Sequence, residues 1–146
     1  MRWSAASRRS GGFIKHPHGV FSHVIAARAV TSVDRPDAGH RVPFFLQSSL
    51  GGSQLLRGYP AFRFRDEAVL AFAAEYRFEV VPRLELAAFV DAGQVAPDFS
   101  ALSLSDLRTG WGVGARLKST RRVLLRFDVA RSSEATRYLI KLTPSF

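Results

Sequence analysis

From Glu67 to Val80 the chain alternates, with Ala68, Leu70, Phe72, Ala74, Tyr76, Phe78 and Val80 on the even positions and Glu67, Glu75, Arg77 and Glu79 among the odd ones. Period two belongs to a β-strand, whose successive side chains point to opposite faces, so one face is apolar and the other charged. The next run repeats it, Leu84, Leu86, Ala88 and Val90 opposing Arg83, Glu85 and Asp91. Then Trp111, Val113, Ala115 and Leu117 oppose Gly110, Gly112, Gly114, Arg116 and Lys118, and Val123, Leu125, Phe127 and Val129 oppose Arg122, Arg126 and Asp128. Last, Tyr138, Ile140, Leu142 and Phe146 oppose Arg137, Lys141, Thr143 and Ser145. An earlier run from Val20 to Val30 is less regular, with Phe21, Ile25, Ala27 and Ala29 against Ser22 and Arg28. The pattern predicts six strands of about ten residues, the length that a tilted membrane-crossing strand requires.

Pro82 marks a tight turn between the second and third strands, and Ser119-Thr120-Arg121 another between the fourth and fifth. The connections from Thr31 to Asp66, Gly93 to Thr109 and Ser132 to Thr136 are read as longer, and they all fall at the opposite end. Short turns at one end and long loops at the other mark outer-membrane barrels. An antiparallel sheet with one buried face also alternates, however. No helix and no second set of strands is visible to cover the apolar face, so the sheet either curls into a small soluble barrel with that face inward or turns it toward lipid.

Composition narrows the choice only a little. A chain of 146 residues, 47% hydrophobic, could bury a core. No apolar run approaches the ~20 residues of a membrane-spanning helix, but alternating strands escape that test. Lys and Arg outnumber Asp and Glu 21 to 12, yet they are spread over strands and turns rather than gathered into a basic helix or an aromatic-basic track, which argues against nucleic acid as a partner. The absence of cysteine removes disulfides, thiolate metal sites and Cys nucleophiles together. Between Met1 and His18, Arg2, Arg8 and Arg9 precede no apolar segment, so this stretch is no secretory signal and a truncated or mis-started reading frame is expected.

Candidate chemistry is sparse. His16, His18, His23 and His40 are scattered without carboxylates at ligand spacing. Gly110, Gly112, Gly114 and Ala115 match a dinucleotide fingerprint only in spacing, since Arg116-Leu117-Lys118 continues a strand and no helix follows. Glycines on the polar parity more plainly make room for a close backbone, and the long loop is the candidate. Arg116, Arg122 and Arg126 read most simply as a solvated lining. No nucleophile elbow is present, and neither catalysis nor a cofactor is expected.

Within the long connection, Leu50-Gly51-Gly52 precedes Leu55-Leu56-Arg57-Gly58-Tyr59, then Arg63-Phe64-Arg65-Asp66; further on come Ala74-Glu75-Tyr76-Arg77-Phe78, Phe89-Val90-Asp91-Ala92-Gly93 and a terminal Phe146. By itself the connection could be a solvated surface loop. These motifs, in this order, resemble the BamA/TamA outer-membrane assembly factors, the bacterial surface antigen family, from about Val20 to the last residue. The resemblance implies an all-β fold, an antiparallel transmembrane β-barrel domain over residues 20–146 that supplies the C-terminal six strands of a sixteen-stranded barrel, with residues 1–19 unassigned. It implies that the Leu56, Arg57, Gly58, Tyr59 loop enters the lumen, where Arg57 pairs with Glu75 and Asp91. Both carboxylates lie on the polar parity of their strands, which agrees independently. It implies too that Phe146 closes a sorting signal, from which the sequence departs in having Pro144 and no glycine in the last strand. The location so implied is the bacterial outer membrane, and the partners are its lipid, client outer-membrane proteins and assembly lipoproteins. A barrel fused to a patatin-like lipase and a two-partner secretion transporter are the alternatives.

Overall fold

The computed structural model describes residues 8–10, 14–16, 22–34, 43, 47–119 and 123–142. Six strands of seven or more residues dominate: β3 (His23–Val33), β6 (Ala68–Val81), β7 (Leu84–Ala96), β8 (Arg108–Lys118), β9 (Val123–Ser132) and β10 (Thr136–Leu142). They form an up-and-down antiparallel sheet in chain order, not closed on itself. Two three-residue strands, β1 (Arg8–Ser10) and β2 (Ile14–His16), lie in the segment that the sequence pattern leaves unassigned. β1 meets Arg28 to Val30 and β2 meets His23 to Ile25, so the two share one position beside β3. The hairpin of β4 (Ser48–Leu50) and β5 (Phe64–Asp66) sits inside the long β3–β6 connection.

Period two sets the faces, with two interruptions. The ladder shifts between Glu79 and Val81 and again between Leu117 and Lys118, where one extra residue bulges on β6 and on β9. One expectation about the connections needs correcting. The link from β9 to β10 is only residues 133–135, because Ser132 closes it: its backbone N–H donates to Ala135 O at 3.0 Å, and its hydroxyl accepts from the N–H groups of Glu134 and Ala135. The length asymmetry therefore rests on the β3–β6 and β7–β8 connections. The second of these carries two single-turn 3-10 helices, Phe99–Ala101 and Leu104–Asp106.

The two faces reverse the usual arrangement of a water-soluble sheet. On the apolar face Trp111, Tyr138, Ile140 and Leu142 are 60%, 71%, 70% and 72% exposed, and Ile25, Tyr76, Val90 and Phe127 are exposed as well. On the polar face Asp91, Asp128, Arg116 and Glu85 are buried. The soluble alternative, with the apolar side turned inward, is not the arrangement found. What covers the polar face is the long loop. Leu50, Leu56 and Tyr59 from the loop bury against Val69 and Ala71 of β6, and Val30, Phe64 and Val95 pack around them. The apolar core is thus small, and it pins the loop to the end of the sheet where β6 begins. No helix among the described residues is long and apolar enough to cross a membrane, which says nothing about strands. Phe146, with Val20, Phe21, His18, His40 and Arg122, lies outside the described residues.

Candidate functional site

Leu50 ends β4, and Gly51 and Gly52 follow at φ 122° and 86°, a region that side chains rarely adopt and glycine enters without penalty. The chain reverses there, and Gly52 N–H donates to Tyr59 O at 3.0 Å while Tyr59 N–H donates to Leu56 O at 3.1 Å. A compact bend results, with Arg57 and Gly58 at its tip. Leu56 and Tyr59 point into the small apolar core, leaving the Arg57 side chain to cross the polar face of the sheet.

Arg57 meets Asp91 as a fork. Its Nε donates to Oδ2 at 2.7 Å and its Nη2 to Oδ1 at 2.6 Å, while its own backbone N–H reaches Oδ2 at 3.1 Å. Nη1 donates to Glu75 Oε2 at 2.7 Å. The structure therefore brings together Arg57, Glu75 and Asp91, with Arg57 and Asp91 only 4% and 0% exposed. Burial alone works against the guanidinium's charge, but the hydrogen bonds and negative charge of Asp91, then of Glu75, outweigh it and raise its pKa above the ordinary arginine value.

Phe89, which the sequence motifs quote without a role, lies beneath this pair. The guanidinium carbon of Arg57 sits 3.4 Å from the centre of its ring, a cation–π contact between groups withdrawn from water. The available signal is parity, since Phe89 shares a face with Asp91 two positions on. Expectations for three glycines divide here. Only Gly110 faces the loop, a side chain there standing 3.3 Å from the Gly58 nitrogen; one at Gly112 would meet the Phe89 ring, and one at Gly114 the Asp128 carboxylate. Gly112 also stands against the Val129 carbonyl and the Ala130 backbone, so it makes room for strand β9 as well as for the Phe89 ring, while Gly114 makes room for Asp128; neither does so for the loop.

Arg116 and Arg126 are likewise no simple solvated lining. Glu75 Oε2 stands 2.8 Å from Arg116 Nη2 and 3.6 Å from Arg126 Nη2, and its Oε1 lies 3.3 Å from Arg77 Nε. Arg126 also binds Asp128 at 2.6 Å, and Lys118 bridges Glu79 and Glu85 at 3.3 and 3.0 Å. One carboxylate thus serves four guanidiniums, and the loop's arginine is one of them. Such a cluster holds a geometry rather than performing a reaction, because it offers neither an activated nucleophile nor a free base. His23, considered earlier as a ligand, has its Nδ1 2.7 Å from the Tyr76 hydroxyl on the other face.

Around the tip, the loop is fastened by three consecutive residues at the β9–β10 end of the sheet. The Ser132 hydroxyl donates to Gly58 O at 2.9 Å, Tyr59 Oη lies 3.1 Å from Ser133 Oγ, and Arg63 pairs with Glu134 at 3.1 Å. On the β3 side Arg28 donates to Gln54 O. A side chain at Gly58 would lie 2.7 Å from Ser132 Cβ. Gly58→Ala is therefore expected to cost about 1–3 kcal/mol through overpacking. Faster proteolysis between Ser53 and Arg65 checks it, and an unchanged digestion rate would mean that the tip is not seated there.

The profile of the Omp85 superfamily domain matches residues 10–138, all but the ends of the chain. The chain belongs to the Omp85 superfamily. None of the curated proteins matches it. Omp85 proteins are bacterial outer-membrane proteins concerned with protein insertion or secretion, and an all-β antiparallel sheet suits a barrel wall. The match begins inside the stretch before Val20, where β1 and β2 extend the sheet. For an Omp85 sheet, the charged face under the loop is the side that would line a barrel's interior.

Proposed function

We propose that this sheet is part of the wall of an outer-membrane barrel whose activity, as in the BamA/TamA factors, is the insertion and assembly of outer-membrane proteins. The observation that carries the reading is the Arg57 loop clamped across the charged face by Asp91, Glu75 and Phe89. A loop held by buried ion pairs would brace the inner face of such a wall, and a groove lined by Arg28, Gln54, Arg57, Glu75, Arg77 and Lys141 runs beside it. No metal or nucleotide enters this mechanism. Strand edges carry it instead, since an unpaired edge can accept a client strand by β-augmentation.

Topology adds a constraint. With seven strand positions, the two outer strands run in the same direction. An antiparallel barrel that contains this sheet must therefore gain an odd number of further strands, and two like-oriented copies of the sheet cannot close on each other. A complement of nine would give the sixteen of the assembly factors. In this reading Phe146 contributes to the sorting signal, and clients and assembly lipoproteins are the protein partners.

The test is reconstitution. The protein encoded by the entire reading frame around this sequence, placed in liposomes, should speed the folding of an outer-membrane client, and Arg57→Ala should reduce that acceleration. Transport of one soluble substrate without any effect on client folding would favour the two-partner secretion alternative. A Gly-x-Ser-x-Gly hydrolase domain in the same frame would favour the lipase fusion.

A further inference from the structure

Along the open-face positions of β3 and β6 to β10, every residue but one is uncharged or histidine. The exception is Arg131, on the same parity as Leu125, Phe127 and Val129 of β9. It stands one residue from the long-loop end of its strand, is exposed, and makes no ion pair among the described residues. Its cross-strand partners are Trp111 on β8 and Thr136 on β10, with Tyr138 diagonal to it. Directly opposed side chains on one face stand about 5 Å apart at Cβ, so Trp111 borders the guanidinium. Trp111 and Tyr138 are themselves 60% and 71% exposed.

An unpaired guanidinium on an apolar face is costly in hydrocarbon and nearly free at its boundary. Tryptophan and tyrosine favour that same boundary, where an apolar ring body and a polar edge are both accommodated. A guanidinium there needs an anionic acceptor with several oxygens, and the one that a membrane offers at this depth is a phosphate. We propose that Arg131, flanked by Trp111 and Tyr138, holds the unshielded phosphate of a lipid headgroup in the leaflet at the long-loop end of the sheet. The proposal rests on the reading of the open face as lipid-facing. Under that reading the leaflet is the outer one, and the ligand is a phosphorylated glycolipid.

The chain holds two tryptophans, so Trp3→Phe leaves Trp111 as a reporter beside Arg131. The full chain in this background is mixed with phosphatidylcholine vesicles carrying either bisphosphorylated lipid A or the same glycolipid without its phosphates. Brominated acyl chains in both vesicles should quench Trp111, which reports the face. Binding should be about fivefold tighter to the phosphorylated vesicles. Arg131→Gln should abolish that preference, and Arg131→Lys should keep most of it. Arg108→Gln, the same loss of charge at the same end of β8 but on the opposite parity, should keep it too. Preference unchanged in Arg131→Gln, or lost equally in Arg108→Gln, overturns the proposal while leaving the face assignment intact. Displacement by millimolar inorganic phosphate would mean a free-anion site and would overturn it as well. Absence of quenching in both vesicles removes the lipid-facing reading and the proposal with it.

Discussion

Replacing Arg57 by alanine is expected to cost about 3–5 kcal/mol, because it leaves the buried Asp91 carboxylate without a charged partner. Asp91 loses both bonds from the Arg57 side chain and keeps only the one from the backbone N–H, and Phe89 loses the cation on its ring. Glu75→Gln is expected to cost a similar amount for the converse reason, since four guanidiniums then share no common anion. Denaturant unfolding of the protein in lipid vesicles measures both. Arg57→Ala and Asp91→Ala should be far from additive, as each removes the same pair. Additive costs would show that Arg57 and Asp91 stabilise the fold independently.

The second large effect lies on the opposite face. Phe127→Arg places a charge at the middle of β9, and in a bilayer it should cost about 2–4 kcal/mol. Toward the strand's long-loop end the same charge should cost ~0–1 kcal/mol, which fits the presence of Arg131 there. Lys141→Gln, on the polar parity of β10, should change stability little. A sheet that met water on this face would tolerate Phe127→Arg easily, because the phenylalanine is already exposed. Vesicle-bound unfolding midpoints for these variants separate the two cases.

Much of this was legible in the alternation itself. Glu75 and Asp91 fall on one parity and Tyr76 and Val90 on the other, so the faces follow from counting by two as long as the ladder has no bulge. The long strands were legible for the same reason, while the extra residues on β6 and β9 carry no mark in the sequence. Cross-strand neighbours were harder, because they depend on register: nothing in the sequence aligns Gly114 with Asp128 or Gly112 with Ala130 until β8 and β9 are paired. That is why Arg116 and Arg126 looked like separate solvated side chains instead of members of the Glu75 cluster. Phe89 was hidden by its type, since an aromatic on the charged parity looks like an irregularity until a guanidinium is seen lying over it. β1 and β2 are too short for any period to show.

Because the natural chain has no cysteine, single cysteines report one position at a time without background. Labelling them from the lipid phase with a membrane-confined thiol reagent tests the central claim, that the apolar face meets lipid and the charged face is turned inward under the Arg57 loop. Leu86→Cys and Phe127→Cys should react strongly, and Glu85→Cys and Arg126→Cys, one residue away in each strand, should not. Strong labelling at 85 and 126 with none at 86 and 127 would contradict the account.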